Sequence, residues 1–401
     1  MNNIIFKIAL AEFLSGIGTG VALLAVPYYL LKESGGSEFF AIATIVSTLA
    51  LFFMSPFLGD LVDKMSRRNY LAIIQFIAGP LVLFVMLGSY FFKDFYIIGL
   101  CLISFIGMGH FSAHFIGRSA YGQSIFHNDL YVRFNSVMEI VGQASTLVGG
   151  LIGALLLEHI HLYYVLTFDI LTYFIAGLLF IYCPKDELEN SVLKNQTASF
   201  VHGLKDTFFY FKSFPLLFGL LFFSYIPFLG VMISNYVNPV HVVESLDGGV
   251  SLLSWSSVWY SIGAMLAGIV GIRFVKNGQE VFFMKLMMIV FLILFLFSFF
   301  SDLPMIFLLC TSCVGFCNSF IRLCRSTIMM KEVPKHLIGK VNSSFNSFGL
   351  FFRVIMIGLS ATLISSSGTI ISLVPYFIFY LMGVFVVYLF PFRSNPTKDN
   401  L

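Results

Sequence analysis

The sequence predicts an all-α membrane protein with twelve transmembrane helices, and three observations support this prediction. Of the 401 residues, 58% are hydrophobic and only 11% are charged, and the mean hydropathy is +0.93. So few charges could not cover the surface of a soluble domain of this length. Charged residues and clusters of Gly, Ser and Pro divide the apolar sequence into twelve spans, each close to the ~20 residues that a helix needs to cross a bilayer.

The twelve predicted helices form two sets of six. The first set covers residues 5–31, 38–58, 70–92, 95–117, 134–157 and 162–183, and the second covers 214–240, 250–272, 281–300, 305–327, 343–365 and 369–392. The predicted domains are a six-helix bundle over 1–183, a cytoplasmic linker over 184–213 and a second six-helix bundle over 214–401. The second part of the linker has apolar residues at helical spacing, which favours an amphipathic helix on the membrane surface. A plain tether is the alternative.

The distribution of Lys and Arg predicts that both termini lie in the cytoplasm. In this orientation the external loops carry only Lys32 and Lys93 of the 23 cations. Arg353 lies in mid-helix, and the other cations lie in or beside cytoplasmic segments, as the positive-inside rule requires. We therefore expect a multi-pass protein of the cytoplasmic membrane. The six cysteines lie in or at the ends of apolar segments, so no disulfide framework is expected.

The first dense run of charge covers residues 59–68, with five charges in ten residues. Such a run cannot lie in hydrocarbon, so it is predicted to be a short cytoplasmic loop between helices 2 and 3. The spacing of Gly59, Asp63, Arg67 and Arg68 resembles motif A of the major facilitator superfamily. The resemblance implies a cytoplasmic gate in which Asp63 lies near the start of helix 11 and is attracted by the helix dipole, while the arginines orient Asp63 or hold helix ends. Plain anchoring by positive charge is the alternative for the arginines.

An internal repeat supports the division into two sets of helices. Arg118 is followed 17 positions later by Asn135, and Arg325 is followed 17 positions later by Asn342. The two pairs are 207 residues apart, as parallel repeats in a transporter would be. We expect the arginines at helix carboxyl ends, where cations are favoured, and the asparagines as amino-terminal caps.

Two stretches sharpen the resemblance within the superfamily. Residues 115–121 followed by 133–137 look like the helix 4–5 junction of the macrolide-efflux and enterobactin-exporter branch, and residues 147–154 in helix 5 do too. The resemblance implies the major facilitator fold, in which two pseudo-symmetric six-helix bundles open a central cavity alternately to each side of the membrane.

Glu12 in helix 1 is the first candidate for coupling chemistry. An ionised group inside the membrane costs on the order of 2.5–3.5 kcal/mol unless it is paired or wetted, so such groups are functional candidates. In the resembled fold helix 1 lines the cavity, so Glu12 would face it. Because burial favours the neutral carboxyl, Glu12 is a candidate proton carrier or a site for a cationic substrate. A permanent structural ion pair is the alternative.

Arg353 lies near the middle of helix 11, on a polar stripe with Asn346. Because a guanidinium stays charged, we expect it to pair with Glu12, with Glu139 or with an anionic group of the substrate. Glu139 and Gln143 lie one turn apart in helix 5, and with Asn346 they are candidates for contact with the substrate or for proton coupling. For Glu139 a gate or interface role is preferred, and a coupling site is the alternative. Asp169 in helix 6 is expected to bond a neighbouring helix rather than the substrate.

His110 and His114 lie on one face of helix 4, at a spacing that can chelate a metal. Helix 10 carries cysteines at positions that place them on one face, namely Cys310, Cys313, Cys317 and Cys324. The alternative is that these cysteines let helices pack closely and that the histidines bond locally. The prediction therefore includes no metal and no cofactor.

The predicted function is secondary active transport by alternating access, most simply proton-coupled export of an amphipathic small molecule such as a drug or a siderophore. Nothing in the sequence resembles a soluble catalytic site, so enzymatic activity is not expected. No phosphate-binding Gly-rich loop is present in the sequence, so direct ATP drive is not expected either. Import or export of a metal chelate is one alternative, and a non-transporting membrane receptor or scaffold is another. The expected partners are the substrate, protons and the lipid bilayer, without nucleic acid, and a monomer is expected.

Overall fold

The computed structural model describes residues 2–32, 36–156, 161–186, 200–244, 246, 250–276, 278–300, 303–367 and 369–389. Within these residues the chain is helical and contains no strand. The helices in chain order are α1 Asn2–Lys32, α2 Gly36–Lys64, α3 Arg67–Phe91, α4 Tyr96–Ile125, α5 Tyr131–Leu156, α6 Leu162–Ile181, α7 Phe200–Ser213, α8 Pro215–Phe223, α9 Ile226–Glu244, α10 Val250–Phe274, α11 Glu280–Phe300, α12 Pro304–Glu332, α13 Ile338–Ser367, α14 Thr369–Ser372 and α15 Val374–Leu389.

The all-helical membrane fold predicted from the sequence is confirmed. Among the described residues, ten helical spans are long and apolar enough to cross a membrane. These ten, with α5 and the shorter apolar segment Val374–Tyr388, correspond to the twelve predicted helices. The predicted amphipathic helix is α7, where Phe211 is buried but Phe208 is 68% exposed, so the two do not share one buried face as the spacing predicted. Residues 187–199 of the predicted linker lie outside the described residues.

The predicted cytoplasmic loop over residues 59–68 is wrong in its extent. Helix α2 continues to Lys64 and α3 begins at Arg67, so only two residues separate the helices. The charges lie on the helices because they are paired there. Asp60 and Lys64, one turn apart on α2, form an ion pair of 2.8 Å, a spacing that stabilises a helix.

The expected positions of the repeat residues relative to helix ends are also wrong. Helix α4 extends to Ile125 and α12 to Glu332, so Arg118 and Arg325 each lie seven residues before a helix end. Asn135 and Asn342 each lie four residues after the first residue of α5 and of α13, which is too far inside to cap an amino terminus. The helices continue past the apolar spans, and the hydropathy pattern alone does not register this continuation.

Two of the predicted helices are interrupted. The predicted helix 214–240 is divided into α8 and α9 at Ser224 and Tyr225, and the predicted helix 369–392 is divided into α14 and α15. Each second part has proline as its second residue, Pro227 in α9 and Pro375 in α15. Proline lacks an N–H and disfavours helical backbone in the residue before it, so a helix tends to restart there rather than run through.

The chain divides into two compact units. Unit 1 comprises Met1–Phe126, Val141–Asp206 and Lys335–Ser347, and unit 2 comprises His127–Ile140, Thr207–Pro334 and Phe348–Leu401. In unit 1, α6 packs against α1 and α3, and α4 packs against α2 and α3. In unit 2, α12 packs against α10 and α11, and α15 packs against α8 and α11. The domain boundaries 1–183 and 214–401 stay a prediction.

The two units have different cores. In unit 1, aliphatic side chains such as Val21, Leu100 and Leu166 form a buried cluster. In unit 2, aromatic rings stack on one another. The centroid of the Phe291 ring lies 5.3 Å from that of Phe295 and 5.6 Å from that of Tyr380. Aromatic stacking of this kind contributes beyond area burial.

Candidate functional site

Glu12 lies at the centre of a buried charged cluster in unit 1. Its side chain is 8% exposed. Arg118 donates to Glu12 Oε2 at 3.1 Å, and His114 Nε2 lies 2.5 Å from Glu12 Oε1. Because His114 and Arg118 are one turn apart on α4, both reach the single carboxylate that α1 presents. The cluster therefore joins α1 to α4 through charge-assisted contacts.

Neutral polar side chains surround this cluster. The Ser15 hydroxyl donates to Gln75 Oε1 at 3.3 Å, and Gln75 Nε2 lies 3.5 Å from His114 Nδ1. Gln75 itself is fully buried. The imidazole of His114 is thus held between Glu12 on one side and Gln75 of α3 on the other, which fixes its orientation. The sequence analysis missed Gln75, although a glutamine in the middle of an apolar span was a visible signal.

Glu12 was expected to face a cavity as an isolated carboxyl, or to form a permanent ion pair. The geometry corresponds to an ion pair with Arg118, a residue that the sequence analysis placed at a helix end. The expected pairing of Arg353 with Glu12 or Glu139 is wrong, because each of these carboxylates binds a different cation. Among the described residues, half-buried Arg353 has no ion-pair or hydrogen-bond partner.

Glu139 forms the corresponding buried pair of unit 2. Arg322 of α12 donates from Nε to Glu139 Oε2 at 3.0 Å and from NH2 to Glu139 Oε1. Nearby, Asn318 donates to the Tyr260 hydroxyl at 2.7 Å. A bidentate guanidinium–carboxylate pair is the strongest form of side-chain ion pair. Arg322 was not predicted as a partner, because it was counted only among the cations in or beside cytoplasmic segments. The role of Gln143 stays a prediction.

The two histidines of α4 have different surroundings. His114 bonds Glu12 and Gln75, whereas His110 stacks on His114 with 5.6 Å between ring centroids. In the described part of the chain, no group of three or more His, Cys, Asp or Glu residues could hold a metal ion. The four cysteines of the predicted tenth helix, which is α12 in the structure, do not share one environment either. Cys313 is exposed, whereas Cys310, Cys317 and Cys324 are buried.

Asp63 binds the amino terminus of α13. Asp63 and this part of α13 both belong to unit 1. The backbone N–H groups of Gly339 and Lys340 donate to Asp63 Oδ1 and Oδ2 at 2.9 and 2.8 Å. These are first-turn amides, which no helical carbonyl can bind, and the helix dipole adds to the attraction. A Cβ on Gly59 would overlap Ser343 Oγ and the Gly339 carbonyl oxygen, so only glycine permits this close approach.

The two arginines of the motif hold backbone carbonyls. Arg67 is fully buried and donates to the carbonyls of Ala120, at 2.9 Å, and of Lys335. Arg68 reaches the carbonyl of Ile181 at 3.4 Å. Their guanidinium groups therefore tie helix ends together. A function for these contacts as a gate stays a prediction.

Asp186 caps the start of α3, a contact that the sequence analysis did not foresee. Its carboxylate accepts from the Ser66 hydroxyl at 2.7 Å and from the Arg67 backbone N–H at 2.9 Å. The sequence analysis assigned Asp186 to a linker without periodicity. The dense charge at positions 185–187 was the available signal, but nothing in the sequence indicated which helix end it would meet.

Asn346 lies in the part of α13 that belongs to unit 1. Its amide donates to Ser112 Oγ at 2.8 Å and to Ser55 Oγ at 3.2 Å, so its donors are used by α4 and α2. A substrate contact for Asn346 stays a prediction.

The repeat residues occupy equivalent helical positions but have different partners. Arg325 donates to the Ser224 carbonyl at 2.9 Å and lies 3.5 Å from the centroid of the Tyr225 ring. Both partners are at the interruption between α8 and α9, so Arg325 supports the break. Asn135 donates to Thr327 Oγ1 at 3.1 Å, whereas the buried side chain of Asn342 has no hydrogen-bond partner among the described residues.

These observations can be compared with known proteins. The family model described as Major Facilitator Superfamily matches residues 8–355. The chain belongs to the major facilitator superfamily. The superfamily consists of transporters, so this chain is a membrane transporter and not an enzyme. A relative in Bacillus subtilis (strain 168), the uncharacterized MFS-type transporter YkuC, is 21% identical over 408 residues, which cover 97% of this chain and 92% of YkuC.

Solved structures of superfamily members share the fold. The human organic anion transporter MFSD10 (TETRAN) superposes with a TM-score of 0.76 at 13% identity, covering 96% of this chain and 99% of that one. A bacterial homologue of the iron transporter ferroportin, in its outward-facing state, superposes with a TM-score of 0.74 at 13% identity, with the same coverage. The macrolide-efflux and enterobactin-exporter branch stays a prediction.

Proposed function

We propose that this superfamily member couples the movement of protons to the export of an amphipathic small molecule. The observation that supports this most directly is the Glu12 cluster, in which one buried carboxylate meets both His114 and Arg118. Ionisable groups at such depth are costly and are functional candidates by default. Carboxyl and imidazole groups can both accept and release a proton, and the two are in direct contact here, so the Glu12–His114 pair can hold one proton between them.

The proposed mechanism uses competition for the Glu12 carboxylate. In the described arrangement Arg118 and His114 occupy both carboxylate oxygens. A proton that binds Glu12 neutralises its charge and weakens its hold on Arg118, which frees the guanidinium for other contacts. A positively charged or hydrogen-bonding group of the substrate would bind Glu12 only when the proton is absent. Alternating occupation of one carboxylate by proton and substrate is sufficient for antiport, and the halves would alternate access as in other parallel-repeat transporters.

Arg353 supports an acidic group on the substrate. It lies in a membrane-spanning helix, is half-buried, and has no partner within the described residues. An unpaired guanidinium there is a natural site for a carboxylate or phosphate group. MFSD10, one of the proteins with the same fold, is an organic anion transporter. Together with the apolar composition of the spans, this favours an amphipathic molecule with an anionic group.

An iron chelate is the second candidate substrate. The helix 4–5 stretches resemble the enterobactin-exporter branch, and siderophores are amphipathic chelates with acidic groups. The described residues offer no direct metal site, so the substrate in this case would be the intact chelate. We place the protein in the cytoplasmic membrane with both termini in the cytoplasm, on the distribution of Lys and Arg. We further propose that it is a monomer.

The test is transport by the full chain in proteoliposomes with an imposed pH gradient. A screen of anionic and cationic amphipathic dyes, macrolides and iron chelates, with and without a protonophore, identifies a transported probe. We expect proton-driven movement of that probe to be lost in Glu12→Gln. The matched control is Glu280→Gln, which removes a carboxylate that is 2% exposed and pairs with Lys331 at 2.6 Å in unit 2. Proton-driven transport that persists unchanged in Glu12→Gln would refute the proposal.

A further inference from the structure

Beyond Glu12 and His114, the interior of unit 1 contains a second set of buried ionisable groups. The Tyr173 ring on α6 lies 4.5 Å from the His110 ring between centroids. The Thr19 hydroxyl of α1 donates to the Tyr173 hydroxyl at 3.3 Å, and Asp169 hydrogen-bonds the same tyrosine. His110 stacks in turn on His114. A continuous series of polar side chains therefore leads from Glu12 to Asp169.

Asp169 is the unexplained member of this series. It is 2% exposed, and its Oδ1 has no hydrogen-bond partner among the described residues. Helix α1 packs directly against it, since a Cβ on Gly18 would lie 2.8 Å from Asp169 Oδ1. The nearby Thr172 hydroxyl donates to the Asp169 backbone carbonyl at 2.7 Å rather than to the carboxyl. Within the described residues, no lysine or arginine pairs with Asp169.

The groups packed around Asp169 give its charge little support. The ionisable side chains in or beside the series are Tyr173 on the same helix, His110, His114 and Arg118 from α4, and Glu12 from α1. Of these, the cationic Arg118 is bound to Glu12. Helix α3 contributes the uncharged Gln75, which bonds Ser15. Burial of an ionised carboxylate without a cation is strongly unfavourable. A neutral Asp169 that carries its proton avoids this cost.

His110 is the second unexplained group. It is 8% exposed, and neither ring nitrogen has a hydrogen-bond partner among the described residues. It lies one turn from His114 and two turns from Arg118 on α4, so the series extends about 12 Å along the helix at ~1.5 Å per residue. An imidazole with two free nitrogens between two carboxyl groups can accept a proton at one nitrogen and donate one from the other.

We propose that Asp169 is a second proton-binding group of this transporter, and that Tyr173, His110 and His114 carry the proton between Asp169 and Glu12. This inference rests on the proposed proton coupling and specifies its route. The Asp169 carboxyl gives its proton to the Tyr173 hydroxyl oxygen while that hydroxyl gives its own proton to one nitrogen of His110. His110 releases a proton from its other nitrogen to His114, and His114 passes one to the Glu12 carboxylate. After one transfer Tyr173, His110 and His114 have their starting protonation, Glu12 is neutral, and Asp169 is a carboxylate until it takes up a proton from outside the protein. Because neither nitrogen of His110 is held by a hydrogen bond within the described residues, its ring can rotate. This rotation would bring one nitrogen towards Tyr173 and then the other towards His114, which connects the path.

The first test asks whether Asp169 holds a proton. Infrared spectra of the purified full chain, with isotopically labelled aspartate, distinguish a neutral carboxyl from a carboxylate. We expect a neutral aspartic acid band at neutral pH that Asp169→Asn removes. The matched control is Asp60→Asn, which removes a fully buried aspartate of the same unit that is paired with Lys64 at 2.8 Å. This control should keep the band.

If Asp169→Asn does not fold, the wild-type spectrum and a milder variant still test the inference. Tyr173→Phe removes only the hydroxyl that bonds Asp169, so we expect it to shift the frequency of the band without removing it. Absence of a neutral aspartic acid band in the wild type overturns the inference, and so does persistence of the band in folded Asp169→Asn or its insensitivity to Tyr173→Phe.

The second test measures the route. After a rapid drop in pH, proton uptake by the purified protein is followed with a soluble indicator dye. We expect His110→Phe to slow uptake by about tenfold or more, equivalent to a barrier raised by about 1.4 kcal/mol. His241→Phe is the control, because His241 is a buried histidine of unit 2 that packs against aromatic rings. Equal rates in His110→Phe and the wild type would overturn the route.

The two proposals fail separately. If the Glu12→Gln variant still shows proton-driven transport while the neutral aspartic acid band is present and is removed by Asp169→Asn, the proposed coupling through Glu12 is wrong and the Asp169 proton site stands. If Glu12→Gln stops coupled transport while Asp169→Asn changes neither the spectrum nor proton uptake, the second site is wrong and the coupling stands.

Discussion

Removal of one partner of the Glu139–Arg322 pair is expected to destabilise the protein more than removal of both partners. The Glu139 side chain is 8% exposed and that of Arg322 is 22% exposed. Leaving one buried charge without its partner costs roughly 3–5 kcal/mol. Arg322→Gln leaves the more buried charge unpaired and should fall near the upper end, about 4–5 kcal/mol. Glu139→Gln leaves the partly wetted guanidinium and should cost about 3 kcal/mol.

The double variant Glu139→Gln/Arg322→Gln keeps the shape of both side chains and leaves no charge. Replacing both members of a buried ion pair by uncharged residues of similar volume leaves no unpaired charge, so we expect the double variant to be more stable than either single variant. The single variants together should cost about 7–8 kcal/mol and the double variant less than about 3 kcal/mol. The interaction energy from the double-mutant cycle should therefore be at least about 4–5 kcal/mol, above the usual range of about 0.5–3 kcal/mol. The cycle is measured as free energies of unfolding of the purified full chain in mixed micelles of mild and denaturing detergent.

A parallel cycle on Glu280 and Lys331 provides the control. This pair is also in unit 2, with side chains 2% and 15% exposed and an N–O distance of 2.6 Å. The two cycles should give similar stability couplings, while only the Glu139–Arg322 variants should alter transport, because Glu139 is a candidate gate residue. Strict additivity of the Glu139 and Arg322 variants would refute the reasoning, since it would mean that the two charges do not compensate each other.

Three further outcomes are expected from the same unfolding assay. Asp63→Asn loses the charge and one acceptor for the two helix amides, and should cost about 2–3 kcal/mol. Gly59→Ala should cost a similar amount, because its methyl group overlaps the Gly339 carbonyl oxygen. Wild-type stability in either variant would contradict the contact between α2 and the amino terminus of α13. Burial and neighbouring cations lower the pKa of His336, so the folded protein disfavours the charged imidazole; stability should fall as pH drops from neutral to about 5, and His336→Gln should flatten this dependence. Arg325→Lys should cost about 1–2 kcal/mol, because lysine replaces a stacked guanidinium on the Tyr225 ring; an unchanged midpoint would argue against that contact.

The membrane spans could be predicted from the sequence because hydropathy reports the length of chain that lies in hydrocarbon. The predicted helix 162–183 and the observed α6 Leu162–Ile181 agree closely. Hydropathy does not report where a helix ends once it leaves the membrane. Helices α2, α4 and α12 continue past their apolar spans because the charged residues there are paired, and so their ends were placed too early. Lys64 pairs with Asp60 on α2 itself, Arg118 with Glu12 of α1, and Lys331 with Glu280 of α11. The interruption before α9 was visible in principle, since Pro227 disfavours helical backbone at the residue before it.

The ionisable residues of the site could be identified from the sequence, but their partners could not. An isolated charge in an apolar span is visible in one dimension, and Glu12, Glu139 and Arg353 were all recognised in this way. Pairing depends on which helices are neighbours and on the depth of each residue. Because α4 was predicted to end at residue 117, Arg118 was placed outside the membrane and was not considered as a partner for Glu12.

The two repeat arginines show how one inherited position can serve two purposes. Arg118 and Arg325 occupy the same place in α4 and α12, seven residues before the helix end. In unit 1 the first meets the carboxylate of Glu12. In unit 2 the second meets a carbonyl and an aromatic ring at the interrupted helix α8–α9. A guanidinium that faces a carboxylate has a partner whose charge a proton can cancel, whereas one that faces a carbonyl has a partner that does not titrate. This difference is the physical reason for proposing that Arg118 takes part in proton binding and for assigning Arg325 a structural role.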